Sequence, residues 1–130
     1  MQKLALDTNA YTALGYKNKT VATYIETANT IGVPIVVLAE IRFGALNGTQ
    51  YAKNIDLLDA LLLNNRVEVL DIDDQTTRLF AEIATTLRSM GRPIQQNDVW
   101  IAALCKQYGY KLVTNDQGFD NILGLDILKF

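Results

Sequence analysis

Four acidic residues share one kind of position in this 130-residue chain: each follows a predicted strand or opens a predicted helix at one edge of a predicted sheet. They are Asp7, Glu40, Asp98 and Asp116. Clustered carboxylates repel one another and raise each other's pKa unless a cation neutralises them. Sites with only oxygen ligands favour hard ions, Mg²⁺ or Mn²⁺. The pattern therefore predicts a metal site, and such a site suits phosphodiester hydrolysis.

Each acid also has an ordinary structural explanation. Asp7 is suited to cap a helix that begins near Thr8, and Asp116 is suited to a turn beside Gly118. Glu40 and Asp98 would complement a helix dipole from a first turn. Other acids lie inside predicted helices and are interpreted as solvated surface: Glu26, Asp56, Asp59 and Glu82. The shared edge favours a joint role for the first four.

The segment QQNDVWIAALCKQYGYKLVTNDQGFD, residues 95–120, carries two of the acids. Asn97-Asp98 is predicted to open an amphipathic helix that Gly109 ends, and a short strand over 111–114 leads to Asp116. A helix packed antiparallel to the following strand places its N-terminus near the carboxyl end of that strand. Asp98 and Asp116 are therefore expected to lie close together. That edge is where open α/β sheets bind ligands.

Short apolar segments alternate with helical patterns along the chain. Strands are predicted at Leu4–Leu6, Ile35–Leu38, Val67–Leu70, Lys111–Thr114 and Ile127–Lys129. Helices are predicted at Tyr11–Tyr16, Thr20–Ala28, from Ala39, at Tyr51–Leu63 and after Asp73-Asp74. This alternation predicts an α/β fold with a central parallel sheet of four to five strands, covered by helices on both faces. We expect one domain over residues 1–130.

The composition excludes several kinds of chemistry. The chain has no histidine, which excludes an imidazole-based triad and removes the usual zinc ligands. Its net charge of -2 argues against nucleic-acid binding by bulk electrostatic attraction alone. The single cysteine, Cys105, lies on an apolar helix face and is expected to be buried. With no predicted signal peptide or membrane span, we expect a cytoplasmic protein.

Four sequence blocks carry a resemblance to a known family. They are LDTN around Asp7, AEIRFGA around Glu40, NDVWIAA around Asp98 and LVTND around Asp116. In this order they resemble the signature blocks of PIN-domain ribonucleases, specifically the VapC toxins of bacterial toxin–antitoxin pairs. The resemblance spans nearly the whole chain. It implies a three-layer α/β/α fold and Mg²⁺- or Mn²⁺-dependent endonucleolytic cleavage of RNA that leaves a 5′-phosphate and a 3′-hydroxyl. It also implies a homodimer and a cognate antitoxin that enters the active-site cleft.

The resemblance implies roles for the acids. Asp7, Asp98 and Asp116 would bind metal, and Glu40 would bind it directly or position the attacking water. Asp120 lies four positions beyond Asp116, so the fourth ligand could be either residue or shared between them. The sequence leaves open whether one or two ions bind, which RNA is cleaved and at which position.

Supporting residues are also implied. Asn9 and Thr114 match positions where the family keeps small polar side chains beside the acids. Arg42 lies two residues from Glu40 and is a candidate for contacting a phosphate, whereas solvated surface is the ordinary reading of the chain's dispersed basic residues. Trp100 is interpreted as a packing residue of its helix.

Two other interpretations stay open from the sequence. A receiver-like signalling domain has a similar length and an acidic Mg²⁺ pocket, and the run Asp71-Ile72-Asp73 after the third predicted strand is compatible with it. Against it, Asp7 is followed by Thr8 rather than a second acid, and Lys111 begins its strand rather than following it. The second alternative is a catalytically silent binding module of the PIN fold.

Overall fold

The computed structural model describes residues 1–130 and contains a parallel sheet of five strands. The strands are β1 (Lys3–Leu6), β2 (Thr30–Pro34), β3 (Val67–Leu70), β4 (Lys111–Thr114) and β5 (Ile127–Lys129). Their spatial order is β3-β2-β1-β4-β5, and every neighbouring pair is parallel. All five carboxyl ends therefore lie at one edge of the sheet, with β1 at its centre.

Six helices cover the sheet. They are α1 (Thr8–Gly15), α2 (Lys19–Thr27), α3 (Ile35–Leu46), α4 (Tyr51–Leu63), α5 (Asp74–Ser89) and α6 (Gln96–Tyr108). A 3₁₀ helix, Gln117–Asn121, follows β4. None of the helices has both the length and the apolar character needed to cross a membrane.

Two apolar clusters lie on opposite faces of the sheet. In β1, Leu4 and Leu6 pack with Ala10 of α1 and Val21 of α2. Ala5 points the other way, into a larger cluster built with α3 to α6. Successive strand residues point to opposite faces, so a strand covered on both faces is apolar at every position. The predicted three-layer α/β fold with a parallel sheet is confirmed.

The predicted second strand at Ile35–Leu38 is wrong. Those residues form the start of α3, and the strand is Thr30–Pro34, directly before them. Gly32 lies inside this strand. An added Cβ there would lie 2.9 Å from both Leu70 Cδ1 and Tyr110 Cε2, so a side chain at this position would require these neighbours to shift.

The start of α6 also differs from the prediction. The helix begins at Gln96, and Gln95 occupies the N-cap position without a capping side-chain hydrogen bond. Asn97-Asp98 therefore does not open the helix, and Asp98 is its third residue. Asp98 N donates to the Gln95 carbonyl at 3.0 Å, so the first turn is closed by the backbone alone.

Candidate active site

The site is built on the pairing of the two central strands. Leu6 of β1 lies beside Val113 of β4, so the next residues, Asp7 and Thr114, are neighbours at the sheet's carboxyl edge. Asp7 is buried, with 5% of its surface exposed. Its Oδ1 accepts a hydrogen bond from Ala10 N at 2.7 Å, and its Oδ2 accepts one from Thr114 Oγ1 at 2.5 Å. The first acid is therefore held at both oxygens.

The Thr114 hydroxyl also contacts Asp116, two residues further along the chain. Its oxygen accepts a hydrogen bond from Asp116 N at 3.0 Å, while Asp116 Oδ1 accepts one from Gly118 N at 2.8 Å. One buried hydroxyl thus joins the carboxylate of Asp7 to the backbone of Asp116, and it fixes the two acids relative to each other.

Asp98 approaches from the first turn of α6. Its carboxylate accepts no hydrogen bond and is partly buried. Burial, followed in order of size by the charges of Asp116, Glu40 and Asp7, raises the pKa of Asp98 to about 6. The structure therefore brings the four predicted acids into one electrostatic cluster, and it has placed Asp98 beside Asp116 as the antiparallel packing predicts.

The element that carries Glu40 into the cluster differs from the prediction. It does not follow a strand but is the sixth residue of α3, which starts at the carboxyl end of β2. Burial raises the pKa of Glu40, the Thr8 hydroxyl opposes the rise, and the charge of Asp7 adds to it. Only the first residues of α3, Ile35 to Ala39, separate the end of β2 from Glu40, so Glu40 still lies at the same edge of the sheet.

The ordinary structural explanations hold for three of the acids. Asp7 caps α1, and Asp116 caps the 3₁₀ helix. Asp98 lies in the first turn of α6, where an acid complements the helix dipole, although its carboxylate accepts no hydrogen bond. Glu40 is the sixth residue of α3 and caps nothing, and a partly buried carboxylate at that place has no stabilising role in the isolated fold.

The donor set fits a hard metal ion. All four groups are carboxylates, and no lysine or arginine lowers the pKa of Asp7, Glu40 or Asp98. No three acidic or sulfur side chains are placed to hold one ion together. That arrangement is compatible with Mg²⁺, which keeps several waters and uses one or two carboxylates.

Thr8 is a member of the site that the sequence did not single out. Its hydroxyl is close enough to Glu40 to lower the pKa of that carboxyl, yet it forms no hydrogen bond of normal geometry and is the only buried side-chain polar atom without a partner. An unpaired buried hydroxyl among carboxylates suits a bound water or ion. The run Asp7-Thr8-Asn9 of short polar residues after β1 was the available signal.

The supporting residues are placed differently from one another. The Asn9 amide donates to Asn115 Oδ1 at 3.2 Å, which ties the start of α1 to the loop after β4. Asp120 Oδ1 lies 2.7 Å from Lys129 Nζ, and the charge of Asp120 is not among those that raise the pKa of Asp98. Arg42 is exposed, and two positions along a helix turn its side chain by about 200° from that of Glu40. The structure does not bring Arg42 and Asp120 together with the four acids.

Two other residues match their predicted structural roles. Trp100 stacks against Phe80, with ring centroids 4.2 Å apart. Cys105 is fully buried, and burial raises the pKa of its thiol.

Asp73, part of the run that supported a receiver-like domain, caps α5 and accepts a hydrogen bond from the Gln107 amide at 2.8 Å. That run lies after the edge strand β3, two strands away from Asp7.

A family model described as the PIN domain matches residues 4–124. The chain belongs to the PIN-domain family. The resemblance of its four sequence blocks is thereby confirmed, and a receiver-like domain is excluded. Among curated PIN relatives, ribonuclease VapC5 of Mycobacterium tuberculosis is 28% identical over 102 residues, which is 76% of each chain. Ribonuclease VapC2 of Rickettsia felis is 33% identical over 88 residues, 68% of this chain and 64% of the relative.

Solved structures of PIN proteins show the same architecture. VapBC2 from Rickettsia felis, bound to a DNA fragment from its promoter, matches with a TM-score of 0.87 and 28% identity over 98% of both chains. DNA-bound VapBC from Salmonella typhimurium matches with a TM-score of 0.86 and 27% identity, over 99% of this chain and 98% of the other.

Proposed function

We propose that this PIN-domain chain is a metal-dependent endoribonuclease, the toxin of a toxin–antitoxin pair, that acts in the cytoplasm as one domain over residues 1–130. Its curated relatives are named as VapC ribonucleases, and the solved structures it matches include VapBC complexes. The observation that carries the proposal is the cluster of four acids without a basic partner, in which burial and mutual repulsion raise the pKa of Asp98 to about 6. Such a cluster favours a divalent cation.

The proposed ligands of Mg²⁺ or Mn²⁺ are Asp7, Asp98 and Asp116, which would hold the ion in part through its bound waters because no three acids are placed to contact one ion together, with Glu40 as a further ligand or as the residue that positions water. When bound, the ion would neutralise the carboxylates, polarise the phosphoryl oxygen and stabilise charge on the leaving oxygen. We favour Asp116 over Asp120 because Asp116 raises the pKa of Asp98 whereas Asp120 pairs with Lys129. The proposed site therefore combines Asp7, which hydrogen bonds hold at both oxygens, with Asp98, whose carboxylate accepts no hydrogen bond.

Asp7 and Glu40 have different roles in the proposed reaction. Asp7 is immobilised by Ala10 N and Thr114 Oγ1, so it sets the position of the cluster at low reorganisation cost. Glu40 is partly exposed and has only the Thr8 hydroxyl close to its carboxylate, which suits it to orient a water and accept its proton. Attack of that water on phosphorus breaks the bond to the 3′-oxygen and leaves a 5′-phosphate and a 3′-hydroxyl.

The proposed partners are RNA as substrate, a cognate antitoxin protein and a second copy of the chain. Large apolar side chains on α4 are exposed, including Leu57 at 54% and Leu63 at 85%. Exposed apolar area of this kind suits an interface between protein chains. It supports a homodimer as part of the proposal.

Incubation of purified protein with a mixed cellular RNA pool tests the activity. With Mn²⁺ or Mg²⁺ we expect discrete new 5′ ends that carry a phosphate, and with EDTA we expect none. Ligation-based mapping detects only 5′-phosphate ends, so it also checks the chemistry. Cuts that persist in EDTA would contradict a metal-dependent mechanism, and products with 5′-hydroxyl ends would contradict the proposed direction of attack.

A further inference from the structure

A groove of about 460 Å³ lies next to the acid cluster and is lined by Arg92, Gln117, Gly118, Asp120 and Asn121. Gly118 connects the two, because it lines the groove and its backbone N–H donates to Asp116 Oδ1 at 2.8 Å. Binding pockets for ligand groups commonly have volumes of about 300–1,000 Å³. The groove is therefore large enough to hold part of a substrate chain beside the proposed reaction site.

The charges of the groove differ from those of the cluster. Arg92 is exposed, and its guanidinium forms neither an ion pair nor a side-chain hydrogen bond. The one acid of the groove, Asp120, is paired with Lys129 at 2.7 Å. The groove thus offers an uncompensated positive charge, whereas the neighbouring cluster is only acidic. A polyanion that extends from the acid cluster into the groove would meet this free cation.

The backbone that carries Arg92 is fixed. After α5 the chain turns through Gly91, whose φ of 69° lies in the left-handed region. Arg92 N donates to Leu87 O at 2.9 Å and Gly91 N donates to Arg88 O at 3.0 Å, which is the hydrogen-bond pattern of a Schellman C-cap. Pro93 follows and restricts the next φ. Arg92 is therefore presented from a rigid turn, which reduces the entropy lost when it pairs with a ligand.

The remaining polar side chains have free hydrogen-bonding capacity. The amides of Gln117 and Asn121 form no hydrogen bonds within the chain, and each carries both a donor and an acceptor. Unstacked RNA bases are recognised through hydrogen bonds to their edges, and phosphates pair well with guanidinium groups. The combination of one free arginine and two free amides matches a nucleotide chain rather than a simple anion.

We propose that this groove binds the single-stranded RNA on one side of the scissile phosphate, with Arg92 pairing to a backbone phosphate and the amides of Gln117 and Asn121 contacting bases. The proposal rests on the proposed ribonuclease function and names a substrate-binding and specificity-determining surface for it.

Binding of a fluorescent single-stranded RNA 12-mer of random sequence, measured in EDTA over a series of salt concentrations, tests the groove without requiring cleavage. Arg92→Ala is expected to weaken binding about tenfold at low salt. It should also reduce the slope of log K against log[salt] by about 0.7, the loss of one phosphate contact on a single strand. Arg92→Lys should recover most of the affinity. Arg88→Ala, which removes an exposed arginine from the last turn of α5, is the matched control and should change neither quantity.

An unchanged slope and affinity in Arg92→Ala, or an equal loss in Arg88→Ala, would overturn the proposal. The proposal would also be overturned if Arg92→Ala bound RNA normally and lost only its binding to the protein partner. On an RNA that the wild type cleaves, Arg92→Ala should raise KM with kcat unchanged, and the double variant Gln117→Ala/Asn121→Ala should broaden the set of cleaved sequences. Normal Arg92-dependent binding without any cleavage would contradict the ribonuclease function and leave the groove assignment standing.

Discussion

The Thr114 hydroxyl donates to Asp7 Oδ2 at 2.5 Å, across the pairing of the two central strands. Thr114 is fully buried, and the same oxygen accepts a hydrogen bond from Asp116 N at 3.0 Å. Of the effects that lower the pKa of Asp7, this hydrogen bond is the largest, although burial outweighs it. The hydroxyl therefore holds one proposed ligand as a carboxylate and positions the backbone of another.

Thr114→Val should impair both stability and activity. It keeps the side-chain shape but leaves Asp7 Oδ2 without its donor and the Asp116 N–H without its acceptor. We expect a loss of about 1–3 kcal/mol in the free energy of unfolding, measured by urea denaturation. RNA cleavage should fall, and the pKa of Asp7 should rise further. Thr114→Ser retains the hydroxyl and should keep most of both properties, whereas wild-type behaviour of the valine variant would show that the hydrogen bond is dispensable.

Asp98→Asn should stabilise the metal-free protein. The substitution removes a partly buried charge that is repelled by Asp116, Glu40 and Asp7, while asparagine remains acceptable in a first helical turn. After allowance for solvent screening of this partly exposed group, we expect a gain of about 1 kcal/mol and a Tm increase of about 2–4 °C in EDTA. In Mn²⁺ the same variant should gain less stability than the wild type.

Asp59→Asn is the control for that comparison, because Asp59 is an exposed acid of α4 outside the cluster. It should leave both the metal-free Tm and the Mn²⁺ response unchanged. If Asp98→Asn responds to Mn²⁺ as the wild type does, Asp98 is not a ligand.

The stability of the metal-free protein should increase as the pH falls from about 7 to about 5. The folded pKa of Asp98, about 6, lies above its ordinary value of 3.8, so between these values the folded state binds more protons than the unfolded state. Stability therefore falls as pH rises through this window. Asp7 and Glu40 are shifted in the same direction. Asp73, whose pKa is lowered by Gln107, acts in the opposite sense only below its ordinary pKa of 3.8.

Thermal unfolding in EDTA at several pH values measures this effect. The dependence should be weaker in Asp98→Asn. In Mn²⁺ the stabilisation by the ion should instead decrease as pH falls below about 6, since protons compete for the carboxylates. A metal-free Tm that rises with pH between 5 and 7 would contradict a shared cluster.

Glycine substitutions test the corrected position of β2. Gly32→Ala places a methyl group 2.9 Å from Leu70 Cδ1 and Tyr110 Cε2, so we expect destabilisation of about 1–3 kcal/mol. Gly44→Ala, in α3 with no atom within 4 Å of the added Cβ, should stabilise the protein by about 0.5–1 kcal/mol. Urea denaturation distinguishes them. A neutral Gly32→Ala would mean that the strand does not pass between these side chains.

Much of the fold could be predicted from the sequence because its strands are short apolar runs bounded by polar residues. The predicted bounds of β3, β4 and β5 agree with the structure. The second strand was misplaced because Ile35–Leu38 is a continuous apolar run, and periodicity cannot distinguish a buried strand from the start of a buried helix. The hypothesis for Arg42 rested on its separation of two residues from Glu40, whereas two positions along the helix that was already predicted from Ala39 point in different directions.

The four acids could be predicted because parallel strands and an antiparallel helix bring their ends to one edge. Our preference for Asp116 over Asp120 as a proposed ligand could not be reached from the sequence, since it depends on the ion pair that Lys129 of β5 forms with Asp120. The unpaired hydroxyl of Thr8 could not be predicted either, because its burial beside Glu40 depends on the contact between α1 and α3. Residue type and spacing are enough to predict which residues lie at the carboxyl edge of the sheet. Which of those residues belong to the proposed site depends on side-chain contacts between elements that are distant in the sequence.

The most direct test of the central claim is cleavage of one mixed RNA pool by wild type, Asp98→Asn and Asp59→Asn in Mn²⁺, with 5′ ends mapped for each. The four-acid site predicts the same set of cuts for wild type and Asp59→Asn, and a loss of about a hundredfold or more for Asp98→Asn. Equal cleavage by Asp98→Asn, at the same positions and in a preparation with normal stability, would show that the acid cluster is not the catalytic site.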